Sequence, residues 1–119
     1  KEGNLVLAIP RLRVYDNPLS PTNQGCIISS NKTIYNYCKK LVNVFKIHGA
    51  CDFDVVVRKD SRPQLLDSSC RLSGSVGASL VAGINVTVEL IKMLHGKKLN
   101  KFKLPKNVKV FPVPFFVKS

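Results

Sequence analysis

The stretch Asp52-Phe53-Asp54-Val55-Val56-Val57-Arg58-Lys59-Asp60-Ser61-Arg62-Pro63-Gln64-Leu65-Leu66-Asp67-Ser68-Ser69 decides the fold. Phe53 and the three valines after Asp54 fit a pleated, half-buried surface, so a strand is expected over residues 51–58. Residues 59–63 carry turn chemistry, and Gln64-Leu65-Leu66-Asp67 opens the returning strand of a hairpin. A register that opposes Asp54 to Asp67 sets both carboxylates side by side on one face. Two carboxylates so close repel unless a hard cation lies between them, and Mg²⁺ prefers such oxygen ligands together with phosphates. The plainer alternative, two ordinary strand-end acids, stays open on spacing alone.

Working outward, residues 4–14 read as a strand, apolar from Leu5 to Ile9 and continuing through Pro10-Arg11-Leu12-Arg13-Val14. Pro10 cannot donate to a ladder, which places this strand near an edge or a bulge. Residues 15–29 are rich in turn formers and read as a loop. A helix is expected to open at Ser30 or Asn31. Ile34, Tyr37, Cys38, Leu41, Val44 and Phe45 recur at helical spacing, with Gly49 as a left-handed cap. Beyond the hairpin, Ser73-Gly74-Ser75 leads into a short Gly/Ala-rich helix ended by Gly83 and expected to pack closely on the sheet. A further helix runs from Asn85 to Gly96, and an apolar edge strand over residues 108–117 is broken by Pro112 and Pro114. The expected class is α+β, an antiparallel sheet with helices on one face.

A length of 119 residues supports one domain, and 45% apolar residues exclude a disordered chain. The longest uncharged stretch, which ends at Glu89, is full of Gly and Ser and does not read as a membrane span. Four cysteines without a C-x-x-C pair, alongside two histidines, argue against structural zinc. We read them as reduced thiols of a cytoplasmic protein. The sequons at Asn31 and Asn85 are read as chance. Net charge is +12, and no acid follows Glu89 although Lys92, Lys97, Lys98, Lys101, Lys103, Lys106, Lys109 and Lys118 do. Such a tail can attract polyanions, but a solvated basic face is the simpler reading, and nucleic acid is not an expected partner. No Ser-His-Asp or Cys-His order is suggested, and Gly74-Ser75-Val76-Gly77 lacks the G-K-[ST] ending of a phosphate-binding loop.

The segment from Asp52 to Ser75 resembles the metal-binding end of the ATP-grasp ligases, in the form seen in the carbamoyl-phosphate-synthase-type large chain. In that family an acid on one strand is followed by a D-G-R-P-like turn and an LLEINPRxSGS strand and loop. The resemblance implies that Asp54 and Asp67 are metal acids and that Ser69 stands where an Asn completes the site. It implies that Arg71 meets the transferred phosphate and that Ser73, Gly74 and Ser75 form the loop beside it. Ile9-Pro10-Arg11-Leu12-Arg13 is similar to the family's VPRxR strand, so Arg11 and Arg13 are implied to face phosphate. The resemblance covers roughly residues 3–98. Three positions depart from it: Asp67 is one methylene shorter than Glu, Ser69 replaces Asn, and Cys70 replaces Pro.

The implied activity is ATP- and Mg²⁺-dependent (or Mn²⁺-dependent) activation of a small-molecule carboxylate as an acyl phosphate, which an amine then attacks. By the same resemblance residues 1–98 correspond to a C-terminal ATP-grasp subdomain cut inside its sheet. Residues 99–119 would then be a basic tail with a final edge strand. An excised piece of this kind is expected to be inactive as a ligase by itself, since the nucleotide-binding half would precede it. A homodimer through the edge left at residues 5–9 is also expected. The alternative is a catalytically inactive ATP-grasp remnant acting as a basic binding or assembly module.

Overall fold

A computed structural model describes residues 2–14 and 25–112. In chain order the elements are β1 (Arg11–Arg13), β2 (Cys26–Ile28), α1 (Lys32–Val44), β3 (Asp52–Val57), β4 (Pro63–Ser69), α2 (Val76–Val81), α3 (Val86–Leu94) and β5 (Val108–Val110). The class is α+β, as expected. The strands form two small antiparallel sheets rather than one, a three-stranded sheet in the order β1-β2-β5 and the hairpin β3-β4.

The hairpin keeps the anticipated register. Asp54 opposes Asp67, with Phe53 on Ser68 and Asp52 on Ser69. A bulge follows between Asp54 and Val55, after which Val55 opposes Leu65. Leu66 is the extra residue and is 67% exposed. At the turn, Asp60 accepts from the Arg62 backbone N–H at 3.1 Å and from Arg62 Nε at 2.7 Å. Ser61 takes φ +62°, a left-handed conformation at the position where a D-G-R-P turn has Gly.

The three-stranded sheet departs further from expectation. Of residues 4–14, Arg11–Arg13 form the strand β1, and its partner β2 lies inside the stretch read as loop. Its three residues are too few for a periodic signal, yet Cys26 and Ile28 are buried in the core. The ladder extends one step beyond β1, where the Pro10 carbonyl accepts from the Ser29 N–H at 3.2 Å. Pro10 contributes only its acceptor there. β1 and β5 are the two edges, so the edge placement of the last strand holds for its described part. The strand stops at Val110, before Phe111 and Pro112, and residues 113–117 of the expected strand lie outside the described residues.

Helix starts follow the sequence more closely than helix ends. Asn31 Oδ1 accepts from the Ile34 N–H, and Asn85 Oδ1 from the Val88 N–H, both at 3.1 Å. Both sequon asparagines are therefore helix caps. α1 stops at Val44, with Phe45 as its C-cap, well before Gly49. The Ile47 N–H reaches back to the Val42 carbonyl and the Lys46 N–H to that of Asn43, so the left-handed closing position falls on Lys46 at φ +52°. α2 and α3 close in the same way with Gly83 and Gly96 at that position. The Gly/Ala-rich α2 does not pack as closely as expected, because a Cβ added at Gly77 would meet nothing within 4 Å.

Ile28 and Ile84 are the largest fully buried side chains among the described residues. Glu89 is also buried. Its carboxylate accepts from Lys92 Nζ at 2.7 Å and from the Asn100 N–H at 2.9 Å. The Lys92 contact lies within α3, and the Asn100 contact fastens α3 to the chain on its way to β5.

Candidate functional site

Residues two apart on a strand share a face, so Asp52 and Asp54 on β3 lie on one side of the hairpin with Ser69 and Asp67 opposite them. Cations from β1 meet this face. Arg11 Nη2 pairs with Asp52 Oδ1 at 3.0 Å, and Arg13 Nη2 with Asp54 Oδ2 at 3.5 Å. The alternation of β1 accounts for the pattern, since Arg11 and Arg13 project on the same side while Leu12 projects away. The two pairs differ in worth. The Arg11–Asp52 side chains are 19% and 26% exposed, whereas those of Arg13 and Asp54 are 40% and 49% exposed and more widely separated. Solvent screening leaves the second pair at about 0–1 kcal/mol.

Arg11 also joins the loop before α2. Its Nη1 donates to Ser75 Oγ. Ser75 Oγ lies 3.1 Å from Ser73 Oγ, and the Ser75 N–H donates to Ser73 Oγ at 3.3 Å. With its hydroxyl so engaged, Ser75 stands at the N-cap position of α2 without a side-chain capping bond. Gly74 is exposed, and a Cβ there would meet nothing within 4 Å. The loop Ser73-Gly74-Ser75 is thus held by its two serines while its glycine stays open to solvent.

The structure brings together Asp54, Asp67, Ser69, Arg11, Arg13, Ser73 and Ser75. It does not bring Arg71 to the carboxylates. The Arg71 guanidinium donates to the neighbouring Leu72 carbonyl at 3.0 Å. Arg71 lines an open cleft of about 470 Å³ with Phe45, His48, Leu72, Leu90 and Leu94 among its walls. Sequence reasoning passed over Asp52, whose signal was available as the i, i+2 partner of Asp54. Asp52 is the carboxylate that pairs with Arg11. Among the described residues no group of three or more His, Cys, Asp or Glu is placed to hold a metal ion. Any ion at this face would therefore rest on the two carboxylates and hydroxyl oxygens. None of the described helices is long and apolar enough to cross a membrane.

This face joins paired acids on a hairpin, arginines arriving from a separate strand and a serine-glycine loop leading into a helix. The chain belongs to the ATP-grasp family: residues 1–114 match the family described as ATP-grasp in the biosynthetic pathway with Ter operon. No curated protein and no solved structure matches the chain.

Proposed function

We propose that this chain supplies the metal- and phosphate-facing side of an ATP-dependent ligase, which activates a small-molecule carboxylate as an acyl phosphate for attack by an amine. The observation that carries the reading is the Asp54–Asp67 pairing, with Ser69 further along the same face and arginines arriving from β1. Family membership supports ATP as the nucleotide. The motif's similarity to the carbamoyl-phosphate-synthase type supports acyl-phosphate chemistry. The family description, which names a biosynthetic pathway, supports a small-molecule substrate. In this proposal residues 1–98 act as the C-terminal ATP-grasp subdomain of a cytoplasmic enzyme, with residues 99–119 as a basic tail.

The donor set fits Mg²⁺ (or Mn²⁺). It is made of hard oxygens, and Mg²⁺ is ordinarily held by one or two carboxylates with phosphates and water completing the shell. Asp54 and Asp67 would hold it, with Ser69 as a weaker third donor, and a bound ion supplies charge neutralisation on the β- and γ-phosphates. Arg13 fixes the Asp54 carboxylate from the side. Arg11 acts at one remove, since it ties Asp52 to Ser75 and so sets the height of the Ser73–Ser75 loop against the strand. Arg71 is exposed and, among the described residues, its guanidinium donates to the Leu72 carbonyl alone, so it can turn toward a transferring phosphoryl group and offset its charge.

The test is trapping of the acyl phosphate with hydroxylamine in the full-length protein, with ATP, Mg²⁺ and a panel of carboxylates. Asp67→Ala is expected to lower hydroxamate formation by at least about 100-fold, and Arg71→Ala by a comparable factor. Hydroxamate formation unchanged in Asp67→Ala overturns the assignment. The exposed lysines between Lys97 and Lys109 favour the second reading, a basic binding module. That module predicts no Mg²⁺-dependent nucleotide binding and a steeply salt-dependent affinity for polyanions that Asp67→Ala leaves intact.

A further inference from the structure

The hairpin carries a second chemistry on its other face. The ladder ends with Asp52 opposite Ser69, and Cys51 and Cys70 are the next residue outward on each arm. The two chain segments stay together beyond the strand ends, because Gly49 and Ala50 line the same cleft as Cys70, Arg71 and Leu72. Directly opposed residues of an antiparallel pair have Cα atoms about 4.5 or 5.5 Å apart, depending on the hydrogen-bonding type of the pair. A disulfide accepts Cα separations of about 4.4–6.8 Å, so both types admit one. Opposed side chains also share a face.

Both sulfurs are free thiols, Cys70 exposed and Cys51 half-buried. Burial pushes the Cys51 thiol up, and the neighbouring Cys70 and then Asp52 push it further. Cys38 on α1 is raised by burial and then by the nearby Cys51. Cys26 is buried in β2, on the other sheet.

We propose that Cys51 and Cys70 form a redox-active dithiol, oxidised by low-molecular-weight disulfides to an intrachain disulfide across the end of the hairpin away from its turn. The exposed Cys70 sulfur gives up its proton and attacks one sulfur of the small disulfide. That S–S bond breaks, a mixed disulfide forms on Cys70, and one small thiol leaves with the proton. Cys51 then attacks the Cys70 sulfur in the same way and expels the second small thiol. Two protein thiols and one small disulfide become one protein disulfide and two small thiols, with two electrons passing to the small disulfide. The bond closes residues 51–70, which include Asp54, Asp67 and Ser69, and ends one residue before Arg71. The dithiol rests on the hairpin register alone and stands whether or not the ligase reading does.

The experiment treats the purified full-length protein with oxidised glutathione, blocks remaining thiols with N-ethylmaleimide and digests with trypsin without reductant. Cys51 falls in peptide 47–58, Cys70 in 60–71 and Cys38 in 33–39. The expected product is 47–58 joined to 60–71, lost on reduction. It should form at least about tenfold faster in the native protein than in guanidinium, because the fold holds the partners together. In Cys51→Ser, Cys70 should accumulate as its mixed disulfide with glutathione, while Cys38→Ser should leave the cross-link intact. Recovery of Cys51 and Cys70 only as maleimide adducts overturns the proposal. So does joining of 33–39 to either peptide in place of the expected link, or equal rates in native and unfolded chains.

Discussion

Strands β3 and β4 meet through a short turn and stay paired over six positions, whereas β2 meets β5 between residues 28 and 108 over three. The hairpin is long, local and mostly exposed. The three-stranded sheet is short and non-local, and its middle strand is among the most buried parts of the described chain. The candidate site belongs to neither alone, because the acids stand on the hairpin and the arginines come from β1. The difference teaches that the hairpin can define the spacing of the acids, while the buried sheet decides whether any cation reaches them. Arg11 is the bridge, touching β3 and the loop before α2 from an edge of the other sheet.

The largest effect should come from the buried side. Ile28 is 0% exposed at the centre of the non-local sheet, and Ile28→Ala is expected to cost about 3 kcal/mol through lost burial and the cavity left behind. Leu66→Ala, at the exposed bulge, should stay within about 0.5 kcal/mol. Urea denaturation of both variants reads the contrast, and equal costs would erase it.

The bridge comes next. A double-mutant cycle of Arg11→Gln with Asp52→Asn should give a coupling of about 1.5 kcal/mol or more, as for a charged hydrogen bond shielded from solvent. The same cycle on Arg13 and Asp54 should give less than about 1 kcal/mol and vanish in high salt. A reversed ranking would move the anchor of the site from Arg11 to Arg13.

A third prediction concerns pH. The Lys92 contact holds the Glu89 carboxyl below the usual carboxylate range, and the Asn100 N–H adds to this. A carboxyl whose folded value is depressed contributes stability that is fully present above its unfolded value, about 4.3 for Glu. The contribution is lost as pH falls through the folded value. Glu89→Gln should therefore flatten the acid limb of the stability curve between about pH 5 and 2 and leave its shape near neutrality unchanged. Thermal melts across that range check it, and an unaltered acid limb would place the acid-sensitive group elsewhere.

The smallest effect lies at the hairpin turn, where Ser61→Gly relieves a left-handed backbone. The gain should be about 0.5 kcal/mol after the extra unfolded-state freedom of Gly is counted, measured as a rise in Tm. Destabilisation instead would mean that the Ser61 side chain supports the turn.

The hairpin, its Asp54–Asp67 register and both asparagine caps were legible in the sequence because each rests on neighbours close along the chain. β2 was not legible, since three residues carry no periodicity and its partners lie on either side of it in space. The end of α1 was misplaced for a related reason. Gly49 was available as a cap, but the Ile47-to-Val42 closure forced Lys46 into the left-handed position. Asp52 was overlooked because its partner Arg11 is distant in sequence, although its place two residues before Asp54 put it on the same strand face.

By itself, then, the sequence determined the α+β class, the paired acids and the ATP-grasp membership, since strand propensity, turn chemistry and motif spacing are local properties. Only the tertiary structure decided that there are two sheets and that Arg11 braces Asp52 and Ser75. It also decided that Arg71 faces a cleft rather than the carboxylates. These depend on which distant segments share a core. Burial of Cys26, Ile28 and Ile84 settles that, and burial is a property of the folded chain rather than of any one segment.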